Sequence, residues 1–253
     1  MCLLLLAYRV HAGYPIIVAA NRDEFHERAA EPAHWWERPD IFAGRDLEGG
    51  GTWIGISRNG RMAAVTNYRD PSITEPGVAS RGELPVTALA RHNDADLLRH
   101  FQREGHRYNG FNLLFGSPAR LLYLSNRGAR RIGLAAGVYA LSNHVLDTPW
   151  PKVSRGKARL IDYLRGHSRP DPEGLFELLR DRHRPPDTAL PDTGIGLEWE
   201  RALAPMFIIT HRYGTRCSTV IIMNEYNETL FAERTFDRQG NPIGDVCEWV
   251  LAA

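Results

Sequence analysis

Short apolar runs joined by tight turns dominate the first half of this chain. Cys2 to Arg9 runs apolar up to the turn residues His11-Ala12-Gly13, and Ile16-Ile17-Val18-Ala19-Ala20 follows at hairpin distance. Trp53 to Ser57 and Met62 to Thr66 flank Arg58-Asn59-Gly60, where an Asn-Gly pair between apolar runs signals a hairpin. Phe111 to Phe115 and Leu121 to Ser125 repeat the pattern around Gly116-Ser117-Pro118, and Val138 to Leu141 continues it. Helical signals come between and after these runs. Asn93 can cap a helix that carries Leu97, Leu98 and Phe101 on one face and stops at Gly105. Thr148 can cap a second, with Pro149 at its first position and Val153, Leu160, Ile161 and Leu164 inward; Asp171-Pro172 opens a third with Leu175, Leu178 and Leu179. Met206 to Thr210, Val220 to Met223 and Thr229 to Ala232 return to strand pattern. Strands, then helices, then strands predict an α+β fold of mainly antiparallel sheets rather than a doubly wound parallel sheet. Residues 184–196, with three prolines and two glycines, are expected as a surface loop or a lid.

No repeat, low-complexity tract or composition break marks a boundary, so residues 1–253 are expected to form one domain. A chain of this length buries roughly three quarters of its unfolded surface and needs no metal or disulfide staple. The formal net charge of +1 gives no electrostatic support for nucleic-acid or membrane-surface binding. Lys152 and Lys157 are the only lysines; the preference for Arg reads as a GC-rich bacterial genome rather than a binding code. Three cysteines, Cys2, Cys217 and Cys247, are too few for a disulfide framework and fit a reducing compartment. The Leu-rich start lacks the charged region of a signal peptide, and no run approaches the ~20 apolar residues of a membrane helix. A cytoplasmic protein is expected; oligomeric state is not legible.

Three segments carry chemistry. Cys2 directly follows Met1, and removal of Met1 would expose an α-amine titrating at about 7.7–8.0, able to act as base for its own thiol. Taken alone, the same cysteine is also a small hydrophobe opening a buried strand. Asn21-Arg22-Asp23-Glu24 follows an apolar strand, where strand ends deliver side chains to sites; in extended geometry Asn21 and Asp23 share one face, Arg22 and Glu24 the other. Gly49-Gly50-Gly51-Thr52-Trp53 lacks the Lys and helix of a phosphate loop and reads as a tight turn into a strand. The ten histidines form no His-Glu-x-x-His, and no Cys-x-x-Cys exists, so no metal is expected. Neither Cys217 nor Cys247 opens a c-type haem motif.

The chain resembles the NRDE family, the homologues of transport and Golgi organisation protein 2. The matching segments are Met1-Cys2, Ala20-Asn21-Arg22-Asp23-Glu24, Gly50-Gly51-Thr52-Trp53-Ile54-Gly55-Ile56-Ser57 and Thr66-Asn67-Tyr68-Arg69. They continue through Arg81-Gly82-Glu83-Leu84, Tyr108-Asn109-Gly110-Phe111-Asn112-Leu113, Leu141-Ser142-Asn143, Asp147-Thr148-Pro149-Trp150 and Tyr213-Gly214-Thr215-Arg216, in the family's order over nearly the whole chain. The family is similar to N-terminal-nucleophile hydrolases of the penicillin V acylase and bile-salt hydrolase type. That resemblance implies a four-layer α-β-β-α sandwich, with Cys2 as nucleophile and Asp23 holding its α-amine. It also implies Asn67 and Asn143 at the oxyanion or the amine, and Arg216 late in the chain. Arg22 or Arg216 would favour the thiolate. The acylases space their early Arg and Asp two apart, whereas Arg22 and Asp23 are adjacent, so in a regular strand one of them faces Cys2; Asp23 is preferred.

Two functions follow as expectations. One is hydrolysis of a small-molecule amide, or a related acyl transfer, through a Cys2 acyl-enzyme, with no cofactor required. The other is non-enzymatic binding and intracellular trafficking of an amphipathic ligand, haem or an acyl compound, as the family has been linked to both. Trp35, Trp36, Trp53, Tyr68, Arg69 and Arg81 are candidates for contacting such a ligand, beside Asn21 at the strand end; the tryptophans read equally as core.

Overall fold

The computed structural model describes residues 2–73, 78–91, 93–128 and 131–251. One antiparallel sheet joins β1 (Cys2–His11), β2 (Tyr14–Phe25), β10 (Gly137–Leu141), β11 (Tyr213–Met223), β12 (Glu228–Phe236) and β13 (Pro242–Leu251) in the order β10-β1-β2-β11-β12-β13. The other runs from β3 (Ala30–Trp35) and β4 (Ile41–Asp46) through β5 (Ile54–Ser57), β6 (Arg61–Asn67) and β7 (Phe111–Ser117) to β8 (Arg120–Ser125) and β9 (Arg131–Gly133), each strand pairing the next antiparallel. The helices are α1 (Glu83–Ala90), α2 (Asp94–Glu104), α3 (Pro151–Gly166), α4 (Pro172–Leu179) and α5 (Leu197–Leu203).

The period of two along each strand builds the layers. Leu4, Leu6 and Tyr8 of β1 join Ile54, Ile56, Met62 and Ala64 between the sheets, while Leu3, Leu5 and Ala7 face α3 and α4. On the second sheet Ala63, Leu113 and Phe115 face outward against Leu84, Leu89, Leu97 and Phe101 of α1 and α2. The order of layers is α-β-β-α, as the resemblance implies. Burial on both faces explains why β1 reads as a continuous apolar run rather than as an alternation.

Turn and cap chemistry lands where the residues place it. Gly60 takes φ +72 in the β5–β6 hairpin, and the Asn93 side chain accepts from the amides of Ala95 and Asp96. Asp171 caps α4 through the Gly174 amide. Two expectations are corrected. Helix α3 starts at Pro151, because Thr148 directs its hydroxyl to the Val145 carbonyl (2.8 Å) instead of capping. Met206 to Thr210 is not a strand: Phe207 bonds Asp181 and Ile208 bonds Thr215, so the segment bridges α4 to the start of β11. Residues 184–196 hold only a short 3-10 turn (Asp187–Ala189), and Thr193 is tied to Glu200 through its amide and hydroxyl. No helix among the described residues is long and apolar enough to cross a membrane.

Candidate active site

Cys2 opens β1, and the register fixes its surroundings. Its partner across β2 is Arg22, and Arg22's partner on β11 is Cys217. Partners in an antiparallel ladder project to one face, so Arg22 shares the thiol's face. Asp23 projects to the other side of the sheet, toward the α3 layer. Asp23 nonetheless lines the same cavity as Cys2. It stands one step beyond Arg22 on β2, level with the backbone that enters Cys2 rather than with its thiol.

Asp23 is 0% exposed. Thr215 Oγ1 donates to its Oδ1 (2.7 Å) and Tyr213 OH donates to its carbonyl (2.6 Å). Burial raises its pKa, against the pull of the Lys152 charge and the Thr215 hydrogen bond. Lys152 lies in the first turn of α3, 4% exposed, with its ammonium donating to the Leu203 carbonyl (3.0 Å). Burial pulls this lysine down to about 8, although Asp23 favours its charged form.

The two sheets are stitched together beside Cys2. Ser142, just past β10, donates to the Cys2 carbonyl (3.2 Å), while Thr66 of β6 donates to the Ser142 carbonyl (2.7 Å). Asn143, 0% exposed, donates to the Asn67 carbonyl (3.0 Å), and its own carbonyl accepts from the Arg69 amide (2.7 Å). Asn143 is thereby spent on holding Asn67, whose side-chain amide makes no hydrogen bond to another described residue and lies on the wall of a cavity.

That cavity, about 320 Å³, is lined by Cys2, Arg22, Trp53, Asn67, Arg81 and Asn109, among others. The Arg22 guanidinium carbon lies 4.5 Å from the Trp53 ring centroid, and its Nη2 donates to Asp46 (3.2 Å). Arg28 donates to the same carboxylate at 2.7 Å. Burial works against the Asp46 charge, but these arginines and the Gly49 amide hold the carboxyl below its usual range. Burial raises the Cys2 thiol, Asp23 adds to that and Arg22 opposes it. The depressed thiol expected from cationic neighbours is therefore not found: desolvation outweighs a guanidinium already shared with Asp46.

The remaining predicted residues divide. Trp53 and Arg81 line the cavity. Arg216 does not; it is the extra residue of a β-bulge between Thr215 and Cys217, and its Nη1 donates to the carbonyls of Phe25 (2.8 Å) and Arg28 (3.0 Å). Asn21 faces the helix layer, bonding the carbonyls of Leu179 and Met206 and the Ser218 hydroxyl. Tyr68 pairs with His144 (2.8 Å), and Arg69 pairs with Glu200 (2.7 Å) while both are nearly inaccessible. Trp35 donates to Glu248 and Trp36 to the Ala43 carbonyl, away from the cavity. Asp46, Arg28 and Lys152 were not singled out as site residues from sequence. Lys152 carried one usable signal: it is one of two lysines in a chain that otherwise uses Arg.

Residues 1–238 match the family described as Transport and Golgi organisation 2. The Transport and Golgi organization protein 2 homolog of Bos taurus is 37% identical over 88% of this chain and 87% of its own length. The Homo sapiens homolog is 35% identical over the same shares. Among solved structures, the C2A mutant of conjugated bile acid hydrolase from Clostridium perfringens superposes with a TM-score of 0.51 at 9% identity, covering 98% of this chain and 96% of that one. That likeness concerns the fold, an N-terminal-nucleophile hydrolase sandwich. By family match and by identity, the chain belongs to the Transport and Golgi organisation 2 family.

Proposed function

We propose that this protein hydrolyses a small-molecule amide, with Cys2 as nucleophile once Met1 has been removed. The observation that carries the reading is the position of Cys2: first residue of β1, beside Arg22 on a cavity wall that also holds Asn67, with Asp23 level with its backbone nitrogen. The Cys2 sulfur attacks the amide carbon, and its proton passes to the α-amine. The amine then protonates the leaving nitrogen as the C–N bond breaks. Water cleaves the resulting thioester, returning the thiol and a carboxylic acid. Asp23, with Lys152 behind it, orients the amine. Asn67 is the donor aimed at the developing oxyanion, held by Asn143. Loss of one such donor typically lowers kcat about 10²–10³-fold.

Electrostatic support is consistent with these roles. A thiol raised by burial reacts poorly unaided, so a base within the same residue is the feature that makes it competent. The alternative, carriage of haem or an acyl compound without chemistry, would use the same cavity. Of the aromatic and basic side chains considered for such a ligand, Trp53 and Arg81 are the two on its wall.

The test pairs wild type with Cys2→Ala. Purified protein is first weighed to establish whether its N-terminus is Cys2. A panel of N-acyl amides is then assayed for turnover and for a trapped acyl-enzyme, and haem is titrated by absorbance. Turnover and acyl-enzyme in wild type alone are expected. Absence of turnover in both proteins, with saturable haem binding in both, would sink the hydrolase reading and leave the carrier.

A further inference from the structure

The charged side chains around the cavity differ in how far they are satisfied. Arg22 and Arg28 converge on Asp46. The Glu24 carboxylate accepts from the Phe25 amide (2.9 Å). Asp23 projects to the far face of its sheet, where Thr215 and Lys152 attend it. Arg81 alone of the three cavity arginines pairs with no carboxylate among the described residues; its one hydrogen bond is a long contact from Nη1 to the Gly110 carbonyl (3.3 Å). A guanidinium presents five donors in a fixed fork, so most of its capacity is unused. Three arginines thus share the wall with three carboxylates, Asp23, Glu24 and Asp46, and the open fork belongs to Arg81.

Arg81 is also held in place by its backbone. Its carbonyl accepts from the Leu84 amide at the start of α1, and the neighbouring Gly82 carbonyl accepts from the Thr52 amide (3.1 Å). Gly51 and Gly82 approach so closely that a Cβ on Gly51 would sit 2.2 Å from the Gly82 carbonyl carbon. A cation anchored this way, beside a nucleophile and over a cavity of about 320 Å³, suits a bidentate anion more than an apolar chain. The volume is at the small end of ligand pockets, which sets the anion within a few atoms of the reacting carbonyl.

We infer that Arg81 anchors a carboxylate of the substrate, and that the cavity takes small amides that carry one, of the N-acyl amino acid type. The inference rests on the hydrolase reading for its chemistry, but the anion subsite itself does not depend on catalysis. Arg22 and Arg28 share the Asp46 carboxylate and shape the wall, whereas Arg81 supplies the open fork.

The probes are N-butanoylglycine and its carboxamide, N-butanoylglycinamide, in which a neutral amide of nearly the same size replaces the carboxylate. Wild type is expected to favour the carboxylate in kcat/KM by roughly ten- to hundred-fold, the range of a charge-assisted hydrogen-bonded pair. Arg81→Gln brings the ratio toward one, and Arg81→Lys, a cation without the fork, restores part of it. Calorimetric titration of the Cys2→Ala protein with the same two compounds reads the subsite without turnover. Preferential binding of the carboxylate by Cys2→Ala, with no turnover by wild type, would uphold the anion subsite and remove the hydrolase. Turnover of both compounds at equal kcat/KM, or a preference that survives Arg81→Gln, would overturn the subsite and leave the hydrolase. Failure of N-butanoylglycine to bind or react would overturn the inference.

Discussion

Arg22 stands between two thiols. Its ladder partners are Cys2 on one side and Cys217 on the other, yet the three cysteines differ sharply in setting. Cys217 is buried, and burial together with Glu233 pushes its thiol well above the ordinary range. Cys247 is exposed on β13. Alkylation by iodoacetamide followed by peptide mapping is expected to modify Cys2 and Cys247 and to spare Cys217. Because Arg22 is the side chain that opposes desolvation at Cys2, Arg22→Met moves the midpoint of Cys2 alkylation to higher pH; an unchanged midpoint would show that the guanidinium is spent on Asp46. The residue scale is also where sequence reasoning reached least evenly. Cys2, Asp23 and Asn67 were readable because the resemblance quotes their segments in order. Which of Arg22 and Asp23 shares the thiol's face was not, since that depends on a one-residue register set by β1 and β2 together. The commitment of Arg69 to Glu200 could not be read either: the two lie on separate elements and meet only through tertiary packing.

At the scale of elements, the glycines of the segment Gly49-Gly50-Gly51 do two different jobs. Gly50 turns the chain at φ +71, as a tight turn requires. Gly51 instead allows backbone contact with Gly82, joining the strand entry to the segment that carries Arg81. No Cβ fits there without parting the two backbones. Gly51→Ala is expected to destabilise by about 1–3 kcal/mol, the usual penalty of overpacking, and to weaken binding of any cavity ligand more than Gly50→Ala does. Urea midpoints and ligand titration of the two variants check this. Hairpins and capped helices were legible because their signals are local: Asn59-Gly60, Asn93, Asp171-Pro172. Helix α1 went unread because its start, Gly82, supplies no side-chain cap. Strands β3 and β13 carry polar and exposed residues that break the apolar pattern. The false strand at Met206 to Thr210 is apolar because it is buried, and its only pairing among the described residues is the single bridge of Ile209 to Gly214.

For the molecule as a whole, Lys152 ties charge to stability. Its pKa falls from 10.5 in the unfolded chain to about 8 in the folded one, so between those values the unfolded state binds the extra proton. Stability from this group therefore rises as pH climbs from about 8 to 10.5. Removing it in Lys152→Met is expected to flatten that part of the profile, by up to roughly 3 kcal/mol across the window. Denaturant midpoints at pH 7.5 and 10 for both proteins measure the difference; parallel profiles would mean that Asp23, Cys2 and Glu200 together leave the lysine charged throughout, against burial and Arg69.

The order β10-β1-β2-β11 has a consequence in time. The first strand is interior: it pairs with β10, which begins at Gly137, and with β2, whose other edge pairs with β11, which begins at Tyr213. A ribosome adding about 5–20 residues per second needs roughly 10–40 s between Cys2 and Tyr213. Throughout that interval the start of the chain has no complete sheet to enter, and a processing enzyme meets it as an open segment. Once β11 arrives, the ladder closes around Arg22 and the stitch from Ser142 to the Cys2 carbonyl shelters the same residue. If the first residue is trimmed, as the proposed mechanism requires, the interval before closure is when the segment is open to it, and its length sets how many molecules could carry a free α-amine.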